Sequence, residues 1–402
     1  MLLSATAQVG RMASSQPRMA RLAVATAFFV NGAAQASWVA RIPAVQERLG
    51  ARPGALGLAL WGLPVGLLLV MPAVGWLLAR YGSRSVTRAA ALAYCAALPL
   101  LALAPGIAHL FAALLLFGAC AGALDVAMNT AGAAVERLYG RPIMASFHGF
   151  FSVGGLAGAA AGGLLAARGV APLPHLLGAG LALGAAALAA SSWLLPAREP
   201  TAGRAPVFAR PTRSLLGLGL VAFCVLLGEG AVADWGAVYL RDGLGADLGS
   251  AAVGFAVFSL AMAAGRLAGD RVNRRLGPVR LVRLGGAVAG VGALAIVAAD
   301  RPAVAILGFA GVGLGFATVF PAVVSAAARE GSLTAGSAIA AATTAGYAGF
   351  LAGPPLIGLA AEAVSLRGGL GLVVLLCAPI ALLARAVAPA RPDARSSLAR
   401  PA

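Results

Sequence analysis

Lysine is absent from this chain: all thirty basic residues are arginine. Charge of either sign is scarce. Asp, Glu, Lys and Arg together make up 11% of the 402 residues, where a soluble globular domain carries about 25%. A water-facing globular protein of this length is thereby excluded. Histidine is nearly missing as well, with three residues in separate apolar stretches. There is no His-Glu-x-x-His and no Gly-x-Ser-x-Gly, so no enzyme activity, cofactor or metal site is expected. The four cysteines, Cys95, Cys120, Cys224 and Cys377, all fall inside apolar runs and read as packing residues, not as a disulfide framework. The first 20 residues or so carry scattered arginines without a compact apolar stretch, so no cleavable signal peptide is expected there.

What is present is oil and glycine. Hydrophobic residues make up 60% of the chain, with 54 glycines and a mean hydropathy of +0.91. The apolar material comes in blocks of about 20 to 28 residues, enough for a helix to cross ~30 Å of hydrocarbon. Twelve spans are predicted, at 20–40, 54–79, 86–105, 108–136, 142–167, 173–196, 213–240, 249–273, 279–299, 302–328, 333–362 and 367–388. The fold class is therefore all-α: a polytopic membrane protein of two pseudo-symmetric six-helix bundles. The predicted organisation is a tail at 1–19, a first bundle at 20–196, a central loop at 197–213, a second bundle at 214–388 and a tail at 389–402.

The formal charge of +17 follows membrane orientation. Arginines crowd alternate connections: Arg11 and Arg18, Arg80 to Arg88, Arg137 and Arg141, the 198–213 set, and Arg271 to Arg283. Short loops rich in arginine stay cytoplasmic, so both termini are expected inside a bacterial inner membrane. No nucleic-acid partner is expected. The partners anticipated are the lipid bilayer, a small-molecule substrate and protons, for a protein acting as a monomer.

The two halves repeat weakly. "LGLALWGLP…ARYGSR" at 56–84 parallels "VGFAVFSLA…RRLGPVR" at 253–280, and the fourth and tenth spans share Gly-x-x-x-Gly at Gly118/Gly122 and Gly311/Gly315. Internal duplication of this kind is a mark of secondary transporters, whose binding site lies between the repeats near mid-membrane. The turn Gly75-Trp-Leu-Leu-Ala-Arg80-Tyr-Gly82-Ser-Arg84 resembles the Gly-x-Leu-x-Asp-Arg-x-Gly-Arg-Arg loop motif of the major facilitator superfamily, with Ala79 where the family has aspartate. The second-half counterpart, Gly269-Asp270-Arg271…Arg275-Leu-Gly277, keeps the acid. The resemblance implies gating roles for Gly75, Arg80, Gly82, Arg84, Asp270 and Arg271. "NGAAQASWVARIP", "GALDVAMNT", "SFHGFFSVGG" and "EGAVADW" look like an uncharacterised bacterial inner-membrane group near the fucose permease branch. That branch carries a proton-coupling acid in the fourth span, which Asp125 matches in kind. It uses another acid in the first span, where this chain has Asn31 and Gln35.

The residues themselves lead to the same places. An ionised carboxylate at the bilayer centre costs at least ~2.5 kcal/mol, so Asp125 faces a cavity or a partner. Its alternative role is an interhelical hydrogen bond that ties spans together. Asn129, four residues on, shares its helix face. In an antiparallel hairpin turning near 138–139, Asp125 lies level with Ser152 and Asn129 with His148, so at least one of these cross-pairs is predicted to be within hydrogen-bonding reach. Asn31, Gln35 and Trp38 share a face of the first span; two amides and an aromatic ring suit a polyhydroxylated ligand, though Trp38 also fits an interfacial anchor. Glu229 is the second intramembrane carboxylate.

The reading that results is a secondary active transporter of a small polar, sugar-like solute. Asp125 and Glu229 are its candidate proton-coupling residues, and Asn31, Gln35, Trp38, Asn129, His148 and Ser152 its candidate substrate ligands. A proton-coupled exporter and a non-transporting membrane sensor or scaffold are the alternatives.

Overall fold

The computed structural model describes residues 2–196, 212–246, 248–331 and 333–388. The expected central loop falls almost wholly outside the described residues, and the C-terminal tail at 389–402 wholly so. Among the described residues every regular element is helical. Lipid demands this, because a spanning segment must satisfy its own backbone N–H and C=O groups.

The first bundle comprises α1 (Leu2–Val39), the short α2 (Ile42–Arg48) and α3 (Pro53–Leu60), α4 (Gly62–Leu103), α5 (Ile107–Tyr139), α6 (Met144–Ala167) and α7 (Pro172–Ser191). The second comprises α8 (Arg213–Val238), α9 (Leu248–Leu276), α10 (Pro278–Ala298), α11 (Pro302–Phe316), α12 (Val319–Ala327), α13 (Ala335–Ala363) and α14 (Leu366–Leu382). A π-helical turn, Tyr239–Gly243, extends α8, and a 3-10 turn, Leu383–Val387, extends α14. Helix α1 continues well ahead of the first predicted span, which begins at residue 20.

Among the described residues ten stretches are long and apolar enough to cross a membrane. One of them, Ala55–Leu103, has 49 residues, roughly 74 Å of helix against ~30 Å of hydrocarbon. It folds back at Gly82, whose φ of 78° is a backbone conformation that side-chain-bearing residues rarely adopt. Its counterpart in the second half, Gly277, has a φ of 74° and separates α9 from α10. The 29-residue α13 packs on α8 but is diluted in hydropathy by glycine, serine and threonine. The ten stretches, the fold at Gly82 and α13 together make the twelve predicted passes.

Within lipid no hydrophobic drive brings helices together, so close packing through small residues has to do it. In the first bundle α4 lies on α5 and α1 on α6; in the second, α8 lies on α13 and α10 on α11. A Cβ on Gly154 of α6 would collide with the backbone carbonyl of Phe29 on α1, and one on Gly118 of α5 with that of Leu63 on α4. Leu58, Leu69, Leu181, Leu307, Leu359 and Leu375 form part of the exposed apolar exterior, which suits lipid and would be an aggregation surface in water. The bundles meet where α4 touches α13 and α6 touches α9. One end of the molecule carries the turns at Gly82, Gly140, Gly277 and Gly331 and is rich in arginine; we call it the arginine-rich face.

Candidate functional site

Between the bundles lies a cavity of about 540 Å³, within the range of small-molecule sites. Its first-bundle wall includes Asn31 and Gln35 from α1, Trp61 and Leu67 around the start of α4, Asp125 and Met128 from α5, and His148 and Phe151 from α6. Glu229 from α8, Arg266 from α9, Phe320 from α12, and Tyr347 and Phe350 from α13 face them from the second bundle. The cavity reaches the exposed side chains of Trp61 and Asp234, at the end opposite the arginine-rich face.

A polar chain runs along its floor. Asn129 Nδ2 donates to the Asp125 backbone carbonyl at 2.9 Å and to Asp125 Oδ1 at 3.3 Å. A carbonyl only accepts, so this contact orients the amide and turns Asn129 Oδ1 toward His148 Nε2, 3.2 Å away. The histidine must then donate from Nε2. Its ring is held edge-on between Phe28 and Phe320, with centroids 5.0 and 5.7 Å away. One turn further along α6, the Ser152 hydroxyl accepts from Arg266 Nη1 at 3.1 Å. Arg266 Nη2 lies 3.5 Å from Glu229 Oε1. Asp125 Oδ2 and Arg266 Nε are both buried without a partner. The chain thus begins at a carboxylate of the first bundle and ends at one of the second, crossing the boundary through α6 and α9.

Toward the arginine-rich face the bundles close on each other. The carboxylate of Asp270 accepts the backbone N–H of Ser146 in the first turn of α6, at 3.3 and 3.2 Å from its two oxygens. Glu136 Oε2 accepts the N–H groups of Ile143 and Met144 at 2.9 Å each, and its other oxygen is 3.8 Å from Arg329. Two carboxylates therefore sit at one helix N-terminus, where orphan donors and the helix dipole favour negative charge. On the other seam Gly75 lies against Ser337, and Leu78 against Gly336 of α13. Ala79 is buried there, and among the described residues no carboxylate is bonded across this seam.

Of the residues singled out from sequence, Asn31, Gln35, Asp125, His148 and Glu229 line the cavity. The expected pairing across α5 and α6 is present between Asn129 and His148. Ser152 turns instead to Arg266 and to the His148 carbonyl. Trp38 does not line the cavity: it lies within about 20° of Asn31 round the helix but about 10 Å further along its axis, and it is 1% exposed in the first-bundle core. Arg80 stacks over Trp76 and Tyr81; Arg84 is half-buried and Arg271 exposed. Arg41, at the far end of α1, is buried with its Nε donating to His175 Nδ1 at 2.8 Å. Sequence reasoning missed Arg266. In "AMAAGRLAGDR" it precedes Asp270 by one helical turn, close to the arginine cluster that begins at Arg271. A lone arginine inside the 249–273 span was the signal available.

Comparison with known proteins places this geometry in context. A sequence model of the Major Facilitator Superfamily matches residues 24–347 and again 218–401. An uncharacterized MFS-type transporter of Yersinia pestis is 39% identical over 362 residues, covering 90% of this chain and 94% of the relative. The solved structure of the E. coli fucose:proton symporter FucP superposes with a TM-score of 0.75 at 14% identity, covering 91% of this chain and 98% of that one. The human organic anion transporter MFSD10 (TETRAN) does so with a TM-score of 0.74 at 18% identity, covering 92% and 99%. Likenesses at such identities establish the fold alone.

Proposed function

The chain belongs to the Major Facilitator Superfamily and is a membrane transporter, and from that premise we propose that it moves a small polar, sugar-like solute together with protons. The observation that carries this reading is the cavity between the bundles, with Asp125 on one wall and Glu229 on the other. It opens at one end and is sealed at the arginine-rich face. With both termini in the cytoplasm of a bacterial cell, this is the outward-facing form of a monomer. Rocking the bundles would break the Asp270–Ser146 and Glu136–Arg329 contacts and close the far end.

Asp125 is the proton carrier in this scheme. Glu229 is engaged by Arg266, whereas Asp125 keeps one oxygen free of any partner. Neutralising it lowers the cost of carrying the group through a closed, dry intermediate. Asn31 and Gln35 offer amides to solute hydroxyls, and Tyr94, Trp61 and Tyr347 offer aromatic surface. Asn129 and Ser152 act behind this layer by fixing Asp125 and Arg266, and His148, on the cavity wall, holds Asn129 in place.

The test is uptake and counterflow of a sugar panel in proteoliposomes with an imposed pH gradient. Wild-type protein accumulates its solute when the gradient is present. Asp125→Asn is expected to retain solute exchange and lose gradient-driven accumulation; undiminished accumulation by this variant would refute proton coupling through Asp125.

A further inference from the structure

Arg266 needs a reason to be where it is. A charged side chain within the membrane is costly even on permissive scales, and an arginine, unlike a carboxylate, does not shed its charge. A purely structural ion pair would be short and two-pronged, roughly 2.7–2.9 Å per contact. The contact here is a single one of 3.5 Å between Nη2 and one oxygen of Glu229. A guanidinium presents five N–H donors in a fixed fork. Nη1 is engaged by the Ser152 hydroxyl, and Nε is buried with no acceptor at all. The fork is underfilled, and it lies on the cavity wall.

We propose that Arg266 receives a carboxylate of the transported solute, so that the cargo is a sugar-sized hydroxy acid and not a neutral sugar. Glu229 holds the guanidinium in place between visits and yields part of the fork to the incoming group. The inference rests on the transport reading above and assigns its substrate class. The amides of Asn31 and Gln35 stand on the opposite wall and suit the hydroxyls of such a molecule; among the described residues Asn31 Nδ2 donates weakly to the sulfur of Met128, at 3.9 Å. The remaining ionisable groups facing the cavity are Asp125, Glu229, His148, Asp234, Tyr94 and Tyr347. Three of these are acids, which by count would favour an amine. Asp125 can be neutralised by the coupled proton, however, and Asp234 is exposed at the mouth. Glu229 already lies beside Arg266. Arg266 and Glu229 are then the lining charges met by neither a proton nor bulk water, and Glu229 engages only one of the guanidinium's donors.

Thermal unfolding of the purified full-length protein in detergent tests the assignment with matched probes: galactose, galacturonate and galactosamine, and the glucose series alongside. A uronic acid is expected to stabilise the wild type at concentrations at least tenfold below its neutral parent. Arg266→Lys, which keeps charge but not the fork, should weaken this at least tenfold, and Arg266→Gln should abolish it. Should Arg266→Gln fail to fold, Glu229→Gln decides: freeing the fork should tighten acid binding, and lost binding overturns the inference. Stabilisation by the neutral or amino sugars equal to that by the acids would overturn it, as would undiminished acid binding by Arg266→Gln or no shift with any probe. Neutral-sugar binding accompanied by flux would leave the transport reading standing and remove the carboxylate. Acid binding without flux would do the reverse.

Discussion

Asp270 and Ser146 belong to different bundles, yet the carboxylate of one accepts the backbone N–H of the other at 3.2 Å. The bond caps the start of α6, a helix that also carries His148 and Ser152. The closed seam and the cavity floor are therefore built on the same rod.

Breaking that bond should shift the conformational balance. A hydrogen bond to a charged group contributes about 1.5–3 kcal/mol, so Asp270→Ala is expected to favour the form open at the arginine-rich face by roughly 10- to 100-fold. Spin labels placed on either side of the seam would report longer distances in the variant. An unchanged distance distribution would mean that apolar contact alone holds the seam.

The amide of Asn129 links two groups that do not touch each other. Asn129→Leu leaves His148 without its acceptor and Asp125 without its donor, each at a cost of about 1–3 kcal/mol. His148→Phe keeps the ring between Phe28 and Phe320. In a double-mutant cycle on thermal stability the two substitutions should be non-additive by about 0.5–3 kcal/mol. Simple additivity would show that the 3.2 Å contact carries no energy.

Adjacent glycines of α6 should respond in opposite ways. A Cβ on Gly154 would enter the backbone carbonyl of Phe29, whereas one on Gly155 meets nothing within 4 Å. Gly154→Ala is expected to destabilise by at least about 1–3 kcal/mol through overpacking of α1 on α6. Gly155→Ala should be neutral, or stabilising by up to about 1 kcal/mol through helix propensity. Unfolding midpoints of the two variants, compared side by side, check this.

Arg41 and His175 form a buried pair, with Arg41 Nη2 and His175 Nε2 left without partners. Removing only the histidine leaves a buried guanidinium alone, and His175→Phe should cost at least about 1–3 kcal/mol. Replacing both, as Arg41→Met with His175→Phe, should recover most of that loss, because apolar groups of similar volume often serve as well as a buried polar pair. A double variant less stable than the single one would show that Arg41 has a further partner.

The passes were legible because lipid permits few alternatives: block length, arginine placement and the glycine turns at Gly82 and Gly277 all speak of one architecture. Asp125, Asn129 and His148 were legible too, since polar residues spaced four apart on an apolar helix stand out against their surroundings. Trp38 shows where periodicity fails: residues that share a helix face can lie about 10 Å apart along its axis, and a cavity wall can be shorter. Arg266 shows a different failure. A single arginine five residues before the Arg271–Arg283 cluster does not stand out in sequence, because depth in the membrane depends on where a helix ends, and that boundary is the least certain feature of a sequence.

Ala79 leaves the closed end lopsided. One seam is fastened by a carboxylate on a helix start; the other, among the described residues, by close packing of Gly75 and Leu78 on Ser337 and Gly336 and by the Thr344 hydroxyl against the sulfur of Met71 at 3.4 Å. Separation there would part greasy surfaces without breaking a charged contact, so the bundles should begin to come apart along α4 and α13, with Asp270 the last to let go.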